Sequence, residues 1–297
     1  MLSRTFKDKI AKKITQVLTI FLLLILVMMV VVLYYKSEPT IKTNSVWKLL
    51  FSSEWRPLAG KFGFYSFIIS TVYVTLLSVF ISVPISLLMA LFLTQNAKFC
   101  VKQVVFPVLD ILSSIPSVVY GVWGVLVVVP FIANVLGPCF VDYTSGYTVC
   151  ACGIVLSVML IPLLVSLLVE IFSTISKDYV DASASLGATR WQTSRKIILR
   201  KASPGIIASV MLAVSKAFGE TIAVLMVCGS TVKKPESFFD SCYPLSALIV
   251  NNFGEIMSIP MYESVLMFAA LVMFIIVLIF NAVSRIALQH IEKSLKL

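Results

Sequence analysis

The chain has 297 residues, of which 59% are hydrophobic and 13% charged, and its formal charge is +10. A water-soluble domain carries about 25% charged residues, and no soluble fold of this size hides so much apolar surface, so the composition fits the bilayer as solvent. Lys and Arg collect beside apolar runs, as in short cytoplasmic loops, which argues against a nucleic-acid groove.

The first apolar run, about 17–35, follows Arg4, Lys7, Lys9, Lys12 and Lys13. It is long and ends in Leu33-Tyr34-Tyr35-Lys36 with no small-residue cleavage site. That predicts a retained first span, not a cleaved leader. Five more spans are predicted at about 64–94, 104–130, 149–173, 205–229 and 261–284, given the ~20 residues that cross hydrocarbon. Pro84, Pro116 and Pro162 lie inside them; proline is tolerated in membrane helices that bend or line a pathway. The expected fold class is an all-α integral membrane protein with six transmembrane helices. Segments 1–14, 98–102, 177–201 and 285–297 hold most of the 24 Lys and Arg, although the first outer loop is basic too. This bias puts both termini in the cytoplasm. The expected division is residues 1–63 (N-terminal segment, first span and outer loop), a five-helix core over 64–284 with an inner loop at 174–204, and a tail at 285–297.

In that orientation Cys139, Cys150, Cys152, Cys228 and Cys242 fall at or near the outer face. A disulfide and free small apolar side chains are both open readings there. No CxxC pair occurs, and the single histidine, His290, sits in the tail. Zinc chemistry and a Ser-His dyad are therefore not expected, and no metal or cofactor is called for. Asp110 is the only aspartate in a predicted span, so a membrane aspartyl pair lacks its second member.

Three stretches carry function. In the third predicted span, Ser113, Ser114, Ser117 and Tyr120 cluster around Pro116. Close helix packing explains such residues; so does a broken helix lining a substrate route, its freed amides and hydroxyls able to donate to an oxyanion. In the inner loop, small residues from Asp181 to Ser185 precede Gly187, a helix stop or sharp turn, and a second helix then carries Trp191, Ile197 and Ile198 beside basic residues. Alone this reads equally well as a membrane-surface helix. In the fifth span, Lys216 and Glu220 are four apart, on one predicted helix face. Charge inside a span is costly, so the two form a self-neutralising pair, or Lys216 awaits an anion and Glu220 tunes it.

The inner loop resembles the EAA loop of ABC importer permeases: an acidic residue, two small residues, a glycine, and a later Leu-Pro. Asp181, Ala182, Ser183 and Gly187 match, and Leu199, Ala202, Gly205 and Ile206 follow downstream. Ser183 replaces a usual alanine, and Arg200 replaces the usual proline, with Pro204 nearby. The fifth-span stretch Lys216-Ala217-Phe218-Gly219-Glu220-Thr221 resembles the Arg-Ala-x-Gly-Glu-Thr signature of phosphate-specific permeases, with lysine for arginine. Lysine keeps the charge and three donors but lacks the planar fork. Ile115-Pro116-Ser117 with Tyr120-Gly121 resembles the same family, and Trp123 and the stretch from Leu248 to Glu255 resemble its PstC type.

The resemblance implies a type I ABC importer permease fold in the bacterial inner membrane. It implies a substrate pathway of Lys216, Glu220, Thr221, Ser113, Ser114, Ser117 and Tyr120, and an ATPase-coupling loop of Asp181, Ala182, Ser183, Gly187, Arg190 and Trp191. The implied partners are an ATP-binding subunit dimer, a second homologous permease subunit and an external phosphate-binding protein, in membrane lipid. No Gly-rich phosphate loop of the Walker type occurs, so the chain is expected not to hydrolyse ATP itself. The alternatives are a permease for another oxyanion, such as sulfate or molybdate, and an ion-coupled secondary transporter.

Overall fold

The computed structural model describes residues 4–253 and 261–295. Within them the chain is helical apart from its loops and two isolated β-bridges, Arg56–Lys61 and Gly229–Cys242. Among the described residues six helices are long and apolar enough to cross a membrane. In chain order the helices are α1 (Arg4–Thr43), α2 (Val46–Phe51), α3 (Tyr65–Gln95) and α4 (Phe99–Ser114). Then come α5 (Ser117–Cys139), α6 (Val149–Ser173), α7 (Lys177–Ser185) and α8 (Arg190–Gly219). Two short helices, α9 (Ile222–Val227) and α10 (Leu245–Asn252), lead to α11 (Tyr262–Leu295).

The centre of the fold is the pair α3 and α6. Their close approach follows from side-chain size. Ser66, Ser70, Ser78, Ser82 and Ser86 are all buried on α3, and small residues let membrane helices touch backbone to backbone. Gly153 answers from α6: a Cβ there would lie 2.6 Å from Leu77 Cδ2. Thr148 starts α6 by accepting the Ala151 N–H at 3.1 Å, the usual work of an N-cap threonine.

Two of the expected spans differ from single helices. The span expected at 104–130 breaks at Ile115–Pro116, where Ile115 turns to an extended backbone. Proline has no N–H and disfavours helix in the residue before it. Residues 99–114 thus form a separate helix, and the membrane-length helix runs over Ser117–Cys139. Within it the Val129 N–H reaches back to the Gly124 carbonyl, a widened turn just before Pro130. The span expected at 205–229 starts earlier, at Arg190, and is cut at Glu220, whose backbone is extended. The first span is also longer than its apolar run, reaching Thr43.

At the outer end, Trp55 stands edge-on to Phe62, Phe64 and Phe67, with ring centroids 5.7, 5.6 and 4.9 Å apart. This aromatic cluster, completed by Tyr262, seats the loop after α2 on α3 and α11. Helix α1 packs on α11, and its apolar stretch is otherwise exposed in the isolated chain, with Val17, Phe21 and Leu22 all more than half uncovered. Residues Gly254 and Glu255 of the stretch singled out in the last outer loop lie outside the described residues.

Candidate functional site

The breaks in the third and fifth spans adjoin each other, because α5 packs on α9. Glycine makes this possible. A Cβ on Gly121 would lie 3.2 Å from Ala223 Cα, and one on Gly124 would lie 2.8 Å from Val227 Cγ1 and 2.7 Å from Val155 Cγ2. The chain therefore brings two interrupted helices together with their backbones close.

Each break frees carbonyl groups that a buried site must satisfy. At the first, the Tyr120 hydroxyl donates to the Leu112 carbonyl at 2.7 Å. Tyr120 is buried, and its hydroxyl ties the two halves of the break together. Ser113 and Ser114 are exposed, and both donate to the Asp110 carbonyl, at 2.9 and 2.7 Å. Ser117 is half-buried in the first turn of α5.

At the second break Lys216 and Glu220 do not share a helix face as expected, and the self-neutralising pair, one of the two readings, does not form. Glu220 has left the helix, with ψ 128°, so the four-residue spacing no longer stacks the two side chains. Among the described residues Lys216 has no ion-pair partner. Its side chain is exposed in the isolated chain, while Glu220 and Thr221 are half-buried. The Thr221 hydroxyl donates to the Gly219 carbonyl at 3.2 Å.

Two supporting residues were not anticipated. Ser246, at the head of α10, donates to the Glu220 carbonyl at 3.1 Å. Asn281 on α11 accepts the Ser215 hydroxyl at 2.8 Å, beside Lys216. Asn281 carried a readable signal, since an amide inside an apolar span is costly unless bonded. Ser246 carried none, because its partner is a backbone carbonyl distant in sequence. Further out, the Tyr243 hydroxyl accepts from Asn251 at 2.9 Å and Asn252 at 3.2 Å, and burial holds its phenol above the ordinary pKa. Tyr262 completes the chain by donating to Asn252 Oδ1 at 3.0 Å.

The inner loop folds as helix, turn, helix. Ser176 caps α7, and Gly187 turns the chain with φ +77°, a left-handed value that favours glycine. Thr189 and Gln192 form a capping box at the start of α8. Ser183 is buried, its hydroxyl 2.9 Å from that of Thr193, so it locks α7 onto α8. Lys201 Nζ lies 4.9 Å over the Tyr179 ring and holds the same two helices. Asp181, Ala182, Arg190 and Trp191 are exposed. Trp191 at 60% and Leu186 at 89% relative exposure are large apolar side chains on a loop that meets water, a composition that suits a docking surface.

The family of binding-protein-dependent transport system inner membrane components matches residues 82–297. A probable ABC transporter permease protein, YqgH of Bacillus subtilis, is 40% identical over 210 residues, 70% of this chain and 66% of the relative. The phosphate transport system permease protein PstC of Xylella fastidiosa is 30% identical over 257 residues, 82% of this chain and 79% of the relative. A probable PstC of Methanocaldococcus jannaschii is 30% identical over 266 residues, 84% of each chain. Among solved structures, a bacterial alginate ABC transporter superposes with TM-score 0.59 at 15% identity, covering 95% of this chain and 96% of that one. The inward-facing MetNI methionine ABC transporter gives TM-score 0.56 at 19% identity, covering 75% and 93%. These likenesses carry the fold. Six membrane-length helices, an exposed inner loop of helix–turn–helix form and the match over residues 82–297 agree: the chain belongs to the binding-protein-dependent transport system inner membrane component family.

Proposed function

We propose that the chain is the membrane-spanning permease subunit of an ATP-driven importer of inorganic phosphate. The observation that carries the reading is Lys216, a membrane-depth cation with no ion-pair partner among the described residues, one turn before the break at Glu220. Its setting in the fifth-span signature supports phosphate as the anion, as does the likeness to PstC phosphate transport system permeases.

In this reading Lys216 receives phosphate in transit. Its charge offsets part of the cost of stripping water from an oxyanion. Binding there is weak, since a conduit that holds its cargo tightly stops conducting. Glu220 tunes the local potential, Ser113, Ser114 and Ser117 offer hydroxyls near the break, and Tyr120 fixes its shape. ATP is hydrolysed in a separate subunit dimer. Asp181, Ala182, Gly187, Arg190 and Trp191 face that dimer, and Ser183 keeps their helix in place. A second, homologous permease subunit shares the pathway, and an external binding protein delivers phosphate. ATP-driven closure on the inner side then switches access from the outer face to the inner one.

The test is uptake of labelled phosphate by cells with and without the chain, in excess sulfate or molybdate, and after removal of either ATP or the proton gradient. Uptake that needs the chain, ignores the competing oxyanions and fails on ATP loss alone is the expected result. Suppression by sulfate or molybdate moves the assignment to another oxyanion. Survival without ATP moves it to a gradient-driven carrier.

A further inference from the structure

Three of the cysteines assigned to the outer face meet in one buried place. Cys152 lies in the first turns of α6, Cys228 closes α9, and Cys242 lies near the end of the connection into α10. All three have 0% relative exposure. The Cys242 N–H donates to the Cys228 carbonyl at 2.9 Å, which fixes the connection beside α9. The sulfurs of Cys152 and Cys242 are 3.9 Å apart. Cys228 Sγ is engaged elsewhere, 3.5 Å from the Leu225 carbonyl and 3.7 Å from Ser230 Oγ.

We propose that Cys152 and Cys242 are a disulfide site, and that the bond staples the 229–244 connection to the head of α6. The two residues are 90 apart in sequence, yet their sulfurs already touch. A disulfide needs them at about 2.05 Å, so bond formation requires the side chains to close the remaining gap. The chemistry is thiol–disulfide exchange with a soluble disulfide on the outer face. One cysteine loses its proton and attacks that disulfide, releasing one thiol. The second cysteine loses its proton, attacks the mixed disulfide and releases the other thiol. The pair gives up two electrons and two protons, and the external disulfide becomes two thiols. Burial of both sulfurs means that exchange precedes the seating of the connection on α6, or follows its lifting.

The bond has a structural consequence. The connection runs straight into α10, whose Ser246 holds the Glu220 carbonyl. Stapling it to α6 therefore fixes the support of the fifth-span break from the outer side. This inference is independent of which anion is carried.

The experiment uses the full complex in native membranes exposed to oxidised glutathione. Free thiols are then alkylated under denaturing conditions, and the digest is read by mass spectrometry with and without reductant. The expected result is a linked peptide pair joining Cys152 to Cys242 that vanishes on reduction, while Cys150 and Cys228 are alkylated throughout. Alkylation of both Cys152 and Cys242 without reductant overturns the proposal, and so does a bridge from Cys228 to either. The Cys228→Ser protein is expected to keep the link. The Cys242→Ser protein loses it, and protease cleavage within 229–244 rises several-fold in intact membranes. A Cys228→Ser protein that reaches the membrane without the link counts against the pairing.

Discussion

Lys216 lacks an ion-pair partner among the described residues, and a break four residues further on accounts for the absence of Glu220 beside it. Had α8 continued, Glu220 would stand one turn away and could neutralise it; instead the backbone at Glu220 is extended, and under the proposed function the charge is available to an anion. A charge-assisted hydrogen bond is worth ~1.5–3 kcal/mol, so Lys216→Ala is expected to lower phosphate uptake about tenfold or more. The variant should still assemble, and Lys216→Arg should retain most activity because it keeps the charge and adds donors. Uptake by an assembled Lys216→Ala complex at the unmodified rate would remove the residue from the pathway. Tyr120→Phe tests a different role. It deletes the bond to the Leu112 carbonyl, which keeps only the longer bond from the Ile115 N–H at 3.4 Å, at a cost of ~0.5–1.5 kcal/mol. Thermal unfolding of the purified protein should show that loss with no change in competition by sulfate. Lys216 and Tyr120 were both legible in the sequence, as a charge in an apolar span and as a polar group near a proline. Ser246 was not, because it bonds a carbonyl that is free only once Glu220 has left the helix.

At the scale of elements, hydropathy located all six membrane-length helices but could not see where they are cut. An averaging window joins α4 to α5 across Ile115–Pro116 because both sides are apolar, even though Pro116 was visible. The cut at Glu220 has no proline at all; it arises where Gly219 and Thr221 flank the acid and α9 and α10 offer new partners. The inner loop was the most legible element, since Gly187 marks its turn; the capping box of Thr189 and Gln192 that starts its second helix emerges from the structure. Gly187→Val forces a β-branched residue to φ +77°, a strain of ~1–2 kcal/mol. The expected outcome is a permease that reaches the membrane but recovers several-fold less ATP-binding subunit on affinity purification. Equal recovery would show that the turn does not present the docking surface. Ser183→Ala removes the bond to Thr193 and should weaken the same association by about 1 kcal/mol; recovery equal to that of the unmodified protein would show that this bond does not support docking.

The whole molecule is a body built on α3 and α6 with α1 laid against α11. Nothing local in the sequence announced where α1 would attach, because the partners are more than 200 residues apart. The attachment lies at the outer end. Thr40 donates through its N–H at 3.1 Å and its hydroxyl at 2.8 Å to Ser264 Oγ, with both residues buried. Next to them Lys36 meets Glu263 at 2.9 Å, but both side chains are about half exposed, at 53% and 46%. Burial decides which link matters. An exposed ion pair contributes ~0–1 kcal/mol and is screened by salt, whereas removing the buried Ser264 hydroxyl, which accepts from both Thr40 donors, costs ~1–3 kcal/mol. Ser264→Ala is therefore expected to lower the melting temperature of the purified complex more than Glu263→Gln does, and its deficit should persist in high salt while that of Glu263→Gln disappears. The opposite ranking would mean that charge, and not the buried hydroxyl pair, holds α1 to the body. Because the attachment is remote from Lys216 along α11 and the α3–α6 pair does not depend on it, uptake per folded complex should be unchanged in either variant.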